Sequence, residues 1–187
     1  IIGNSIADLN LRDIEARLKT DLHIMDAQLY GDLSGNLIVN VVLRRPIARL
    51  VRTDGPDAYV AEDGAVMYTS DKFSSRVLLI SGDMVKRLAM AAYINETEEG
   101  EQLLELKHYL KDNKYWRAQI AQLDIDKKGR ISIYPQVTGQ LVEFGTVENY
   151  EEKLKKLMIF YKEILPQRGW TKYNRVNVEY EGQVIAE

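Results

Sequence analysis

The sequence of 187 residues contains no cysteine. Disulfide bonds and thiolate metal sites are therefore excluded, but a domain of this size needs no covalent cross-link, so the absence fits both reducing and oxidising compartments. Histidine occurs only twice, as His23 and His108, and neither has a second imidazole at a metal-ligand spacing. A zinc site would need more such ligands, so the sequence predicts no metal site.

The sequence also lacks a long apolar run and a strong charge of one sign. No segment reaches the roughly 18 apolar residues of a membrane-spanning helix. The net charge is -3, and both signs are mixed along the chain. Nucleic acid is excluded as a partner because no basic stripe is present, and no polybasic segment indicates a lipid surface. Proteins and small molecules remain as possible partners. The sequence starts Ile1-Ile2-Gly3 without methionine, so we expect it to be part of a longer chain, with a signal or anchor upstream.

Catalytic motifs are missing as well. There is no Gly-x-Ser-x-Gly, and the glycines stand singly instead of forming a phosphate-binding loop. The carboxylate pairs at 62–63 and 98–99 lie among polar turn residues, which favours solvated loops over acid/base catalysis. Residues 124–129 begin like a calcium loop, but Lys128 and Pro135 stand where oxygen ligands are required. We predict a hairpin turn there, no cofactor and no enzymatic activity.

The first part of the chain has the pattern of a small α+β unit. Asn10 is a candidate N-cap for a helix over residues 11–20, whose apolar residues recur at helical spacing. The β-rich runs 27–30 and 37–43 flank a Ser-Gly-Asn turn and predict a hairpin. Pro46 has no N–H and a restricted φ, so we place a domain boundary beside it.

The rest of the chain alternates short strands with helices, so the predicted fold class is α+β. An amphipathic helix is predicted over residues 148–165, ending at Pro166 and Gly169. The other predicted elements are short strands over 47–80, helices near 83–91 and 101–111, strands from Trp116 to 144, and a final pair over 173–180 and 183–186. A terminal strand often lies at the edge of a sheet, where it is either covered or open to an added strand. The pattern alone leaves both possibilities open.

Several strings of residues, taken in order, resemble the FtsQ/DivIB family of cell division proteins. Arg44-Arg45-Pro46-Ile47-Ala48-Arg49 is similar to the Arg-x-Pro-[Ile/Val]-Ala-Arg signature at the start of the family's β domain. Further similar strings are a turn at 59–64, a strand at 116–120 after the central helix, a segment at 136–145 ending in Phe-Gly, a helix at 153–166 and a closing hairpin at 176–184. The resemblance covers residues 44–187.

The resemblance implies a partial POTRA module over residues 1–45, followed over 46–187 by a mainly antiparallel β domain with packed helices. It also implies a non-enzymatic scaffold of the divisome that acts in bacterial septation. Such a protein is anchored in the inner membrane by a single helix, here upstream of the sequence. The residues studied would then be extracytoplasmic, in the periplasm.

The partners implied by the resemblance are FtsL and FtsB/DivIC, bound when a partner segment adds to the last strand of the β domain. Tyr180 stands where the family has an aromatic contact, and the tryptophan just beyond it has no counterpart in residues 183–186. Carried over to this sequence, the binding edge runs from Val176 to Tyr180 with a turn at Gly182. The predicted partner-binding residues are Arg175, Val176, Asn177, Val178, Glu179, Tyr180 and Gly182.

Two other hypotheses remain. A POTRA-containing transport or outer-membrane assembly factor would bind its substrate by the same strand pairing, and it would carry tandem copies of the module. No repeat of that kind is visible in the sequence. An unrecognised cytosolic enzyme would have a pocket with convergent ionisable groups.

Overall fold

The computed structural model describes residues 9–70 and 74–187. The chain divides into two compact units, Ile1–Arg45 and Pro46–Glu187. In the first unit, helix α1 (Leu11–Leu18) precedes an antiparallel hairpin of strands β1 (Ile24–Gly31) and β2 (Leu37–Leu43). The side-chain oxygen of Asn10 accepts the Asp13 N–H at 3.4 Å, so the predicted helix cap is confirmed.

Few side chains of this first unit are buried. The Glu15 carboxylate accepts the Leu29 N–H at 2.6 Å and so joins α1 to β1. In the part of this unit that the structure describes, only Ala27 and Leu29 are buried, and α1 has no buried residue. The described residues of this unit therefore form a helix and a hairpin around very little core.

The second unit is built on a nine-stranded sheet with the order β11-β10-β9-β8-β7-β6-β3-β4-β5. Five strand pairs are antiparallel and three are parallel, so the predicted α+β class with a mainly antiparallel sheet is confirmed. The strands are β3 (Pro46–Leu50), β4 (Ala58–Ala61), β5 (Val66–Tyr68), β6 (Leu78–Ser81), β7 (Ile120–Ile125), β8 (Ile131–Pro135), β9 (Leu141–Gly145), β10 (Arg175–Asn177) and β11 (Ile185–Ala186).

Helices lie in the connections of two of the three parallel pairs, β6–β7 and β9–β10, because a parallel pair requires a crossover. Between β3 and β6, the third parallel pair, the chain forms β4 and β5. Helices α2 (Val85–Met90), α3 (Glu98–Asp112) and α4 (Lys114–Gln119) lie between β6 and β7 in the chain. Helices α5 (Tyr150–Ile159) and α6 (Leu165–Arg168) lie between β9 and β10. Their apolar residues share one core with the sheet, in which Trp116 and Phe144 are the largest fully buried side chains.

One strand prediction is wrong at its beginning. A strand was predicted from Trp116, but Trp116 lies in α4, and β7 begins only at Ile120. The side chain of Asn113 accepts the N–H groups of Tyr115 and Trp116 at 3.0 and 3.3 Å. Asn113 therefore caps a new helix directly after α3, and this local bond outweighs the β-forming character of the residues that follow.

The helix was predicted to end at Pro166 and Gly169: the end at Pro166 is wrong, and the end at Gly169 is confirmed. The helix continues to Arg168 and ends at Gly169, whose φ of 99° is the left-handed conformation that favours glycine. The turn before Pro166, Phe160–Ile164, is π-helical. Proline removes one helical N–H donor, and the wider hydrogen-bonding register of the preceding turn accommodates that loss without ending the helix.

Candidate partner-binding edge

The C-terminal end of the chain forms one edge of the large sheet. Strand β10 pairs with β9 in parallel and with β11 in antiparallel register. The Arg175 N–H donates to the Glu187 C=O at 3.1 Å, and the Glu187 N–H donates to the Arg175 C=O at 3.0 Å. Because hydrogen-bonded and non-hydrogen-bonded pairs alternate in an antiparallel ladder, the Ala186 N–H and C=O face away from β10. The open backbone edge is therefore on β11.

The opposite edge of the sheet is partly covered. Strand β5 is the last strand on that side, and its Val66 N–H donates to the Ala92 C=O at 2.9 Å. Ala65 and Tyr93 form a further antiparallel bridge. Of the two edges, β11 therefore offers the freer backbone to an added strand.

This topology places the first part of the predicted edge, Val176 to Tyr180, inside the sheet, and partner binding by these residues stays a prediction. Arg175, Val176 and Asn177 form β10, which lies inside the sheet between β9 and β11. Both sides of this strand are occupied, so a partner strand cannot pair with it while β11 is in place. The interior position of β10 was not predicted. It arises because the chain turns at Gly182 and β11 then pairs with the side of β10 that would otherwise be open.

The remaining predicted residues lie between β10 and the last turn. Val178 is fully buried, and its N–H donates to the Glu143 C=O at 3.0 Å. The Glu179 carboxylate accepts from the Arg130 guanidinium at 3.0 Å. The Tyr180 side chain is 52% exposed, and its C=O accepts a hydrogen bond from the Lys156 ammonium group. Gly182 occupies the turn at a φ of 69°. The partner contacts of these residues stay a prediction.

Glu143 on β9 connects the strands of this edge through its carboxylate. It accepts from the Arg175 guanidinium and, at 2.9 Å, from the Asn177 side-chain amide. The hydrogen bond from Arg175, helped by the one from Asn177, lowers the pKa of Glu143 below its ordinary value. A carboxylate with a lowered folded-state pKa stabilises the fold above its unfolded pKa, and this contribution is lost as the pH falls through the folded pKa.

We therefore expect the pKa of Glu143 to rise when its main donor is removed. In an NMR titration of side-chain carboxyl resonances, the pKa of Glu143 should lie below its ordinary value in the wild type and shift upward in Arg175→Met. Arg168→Met, a change to an exposed arginine at the end of α6, is the matched control and should leave the titration unchanged. An unshifted pKa in Arg175→Met would contradict the described ion pair.

The sequence placed residues 183–186 in a terminal strand that could form a sheet edge, but the predicted partner-binding residues did not include them. Ile185 is 43% exposed, whereas Val184 and Ala186 pack against the core. Neighbouring side chains of β11 therefore point to opposite faces of the sheet, as in any strand. In the sequence, a Glu-Gly turn precedes a short apolar run, which predicts a strand after the turn but does not show which of the two strands is the edge.

The described residues offer little for other kinds of chemistry. Among residues 9–70 and 74–187, no three His, Cys, Asp or Glu side chains are close enough to hold a metal ion. No helix in the same ranges has both the length and the apolar character needed to cross a membrane. The open backbone edge of β11 is the kind of feature to which another polypeptide strand can pair.

A family model described as FtsQ/DivIB, C-terminal related, matches residues 45–187, most of the chain. The chain therefore belongs to this family, as the residue strings around Arg44–Arg49 and in the closing hairpin indicated. The FtsQ/DivIB proteins are non-enzymatic, membrane-anchored cell division proteins with an extracytoplasmic domain, so membership indicates a role in cell division. No curated protein matches the chain.

Proposed function

We propose that this chain is a non-enzymatic divisome scaffold that binds a strand of an FtsB/DivIC or FtsL homologue at the outer side of β11. The observation that supports the proposal is the orientation of Ala186, whose N–H and C=O face away from β10. An added strand would pair with these groups through its backbone, and its side chains would meet the exposed parts of Ile185 and Tyr180.

The proposal includes the placement of the domain in the cell. The second unit, over residues 46–187, is the FtsQ/DivIB β domain, and residues 1–45 are part of a POTRA module. Both lie outside the cytoplasm and are held at the inner membrane by a helix upstream of this sequence. A scaffold of this kind acts by bringing partner proteins together at the septum, and it requires no catalytic residue or cofactor.

Blocking the open side of β11 should remove binding without unfolding the domain. We expect Ala186→Pro to weaken binding to the extracytoplasmic segment of the organism's own FtsB/DivIC homologue by at least about tenfold, which corresponds to about 1.4 kcal/mol. Proline removes the outward donor and its ring obstructs the approach of a second strand. Isothermal titration calorimetry with the purified chain measures the change, after denaturant unfolding has shown that the variant is folded.

The matched control is Ala186→Val, which keeps the N–H and has a higher β-propensity, and it should bind as the wild type does. Tyr180→Ala tests the side-chain contribution separately, because it leaves the backbone of β11 unchanged. Unchanged binding by folded Ala186→Pro would contradict strand addition at β11. No binding by the wild type would contradict the proposed partner.

A further inference from the structure

A cavity in the second unit lies at the beginning of three neighbouring strands, three strands away from β11. Its volume is about 610 Å³, within the range of pockets that hold small molecules. Strands β3, β6 and β7 are parallel to one another and begin at this cavity, under helices α3 and α4. Apolar side chains line its inner part: Ile47, Leu78, Leu110, Trp116 and Ile120.

Among residues 9–70 and 74–187, the charged side chains that line the cavity are all cationic. They are Arg49, Arg76, Lys107, Lys111 and Arg117. Arg49 pairs with Asp57 at 2.6 Å, and Lys111 pairs with Glu62. In the part of the chain that the structure describes, the other three have no ion-pair partner. The cavity therefore has more positive charge than its surroundings neutralise.

Among these cations, Lys107 gives the strongest indication of a bound anion. It projects from α3, and only 8% of its surface is exposed. Burial lowers the pKa of Lys107 to about 8. The nearby Lys111 charge lowers it further, the Asp112 carboxylate opposes this, and Arg117 adds a smaller lowering effect. Within the described ranges, no hydrogen-bond acceptor or carboxylate contacts its ammonium group. Its nitrogen is not among the completely buried atoms, so it keeps some contact with solvent. An anion in the cavity would supply the hydrogen-bond acceptor that the described residues do not supply.

We propose that this cavity binds a small amphiphilic anion, with an oxyanion group beside Lys107 and an apolar chain against Trp116. The oxyanion would accept charge-assisted hydrogen bonds from Lys107 and from the unpaired Arg76 or Arg117. The apolar chain would cover the side chains of Leu78 and Ile120. Three strands, β8, β9 and β10, separate this site from β11, so the proposal is independent of strand addition at the sheet edge.

The probe for this site is octanoate, and Trp116 is its reporter. The sequence has two tryptophans, so in a Trp170→Phe background the fluorescence comes from Trp116 alone. We expect octanoate to change this fluorescence saturably. Lys107→Met, which keeps the length of the side chain but removes its charge, should weaken octanoate binding by at least about tenfold. Lys127→Met alters an exposed lysine in the β7–β8 turn and should bind as the background does.

Two further probes separate the parts of the proposal. Octan-1-ol has the apolar chain without the charge, and inorganic phosphate has an oxyanion without the chain. Both should bind more weakly than octanoate. Equal binding of octan-1-ol would overturn the role of the cations, and equal binding of phosphate would overturn the role of the apolar lining. The proposal as a whole fails if octanoate does not bind the Trp170→Phe chain, or if it binds Lys107→Met equally well.

Discussion

Gly82→Ala should destabilise the protein by about 3–4 kcal/mol, the sum of a steric clash and an unfavourable backbone conformation. Gly82 follows β6 at a φ of 101°. A Cβ there would meet the backbone of Ile125, at 2.7 Å from its nitrogen and 2.8 Å from its carbonyl carbon, and would also overlap its oxygen. Because Ile125 ends β7 in the centre of the sheet, neither strand can move without disturbing the core.

Gly129→Ala is the matched control for this prediction. Gly129 also has a positive φ, 75°, but a Cβ there would meet no atom within 4 Å. The backbone conformation alone should cost about 1 kcal/mol. Urea unfolding of both variants, compared at equal m-value, separates the steric contribution from the conformational one. Equal losses of stability in the two variants would show that the backbone contact between Gly82 and Ile125 is not rigid.

The features that could be predicted from the sequence are those fixed by a few adjacent residues. Asn10 caps its helix as its position before an apolar repeat predicted. The turn after β7 is made locally as well, since the Asp126 carboxylate accepts the N–H groups of Lys128 and Arg130 at 2.8 and 2.9 Å. That carboxylate therefore stabilises a hairpin turn, as predicted.

The features that could not be predicted depend on which strands become neighbours. Strand β10 lies beside β9 only because α5 and α6 carry the chain back over the sheet, and β11 then covers its other side. No local pattern in residues 175–186 distinguishes an interior strand from an edge strand. The burial of Lys107 could not be predicted either. A lysine on an amphipathic helix is usually solvated, and only the position of α3 over the sheet buries this one.

Proline should destabilise the protein much more at Val178 than at Ala186. Val178→Pro should lower the free energy of unfolding by about 2–4 kcal/mol, because it removes a donor from a buried acceptor and replaces a packed side chain. The Val178 N–H donates to the Glu143 C=O, and no part of the Val178 side chain is exposed. Ala186→Pro should cost no more than about 1 kcal/mol, since proline is tolerated where the N–H of an edge strand faces solvent.

This contrast tests which strand is the edge before any partner is added. Denaturant unfolding of the two proline variants measures the difference in stability directly. Val178→Ala and Ala186→Val serve as controls, because they change the side chain but keep the backbone N–H. If Ala186→Pro were the more damaging change, the Ala186 N–H would be bonded inside the fold and β11 would not be open to a partner. The predicted difference in stability also affects how binding experiments are interpreted. A loss of binding in Val178→Pro would indicate that the edge of the sheet has unfolded, whereas a loss of binding in Ala186→Pro would indicate that the folded edge is blocked.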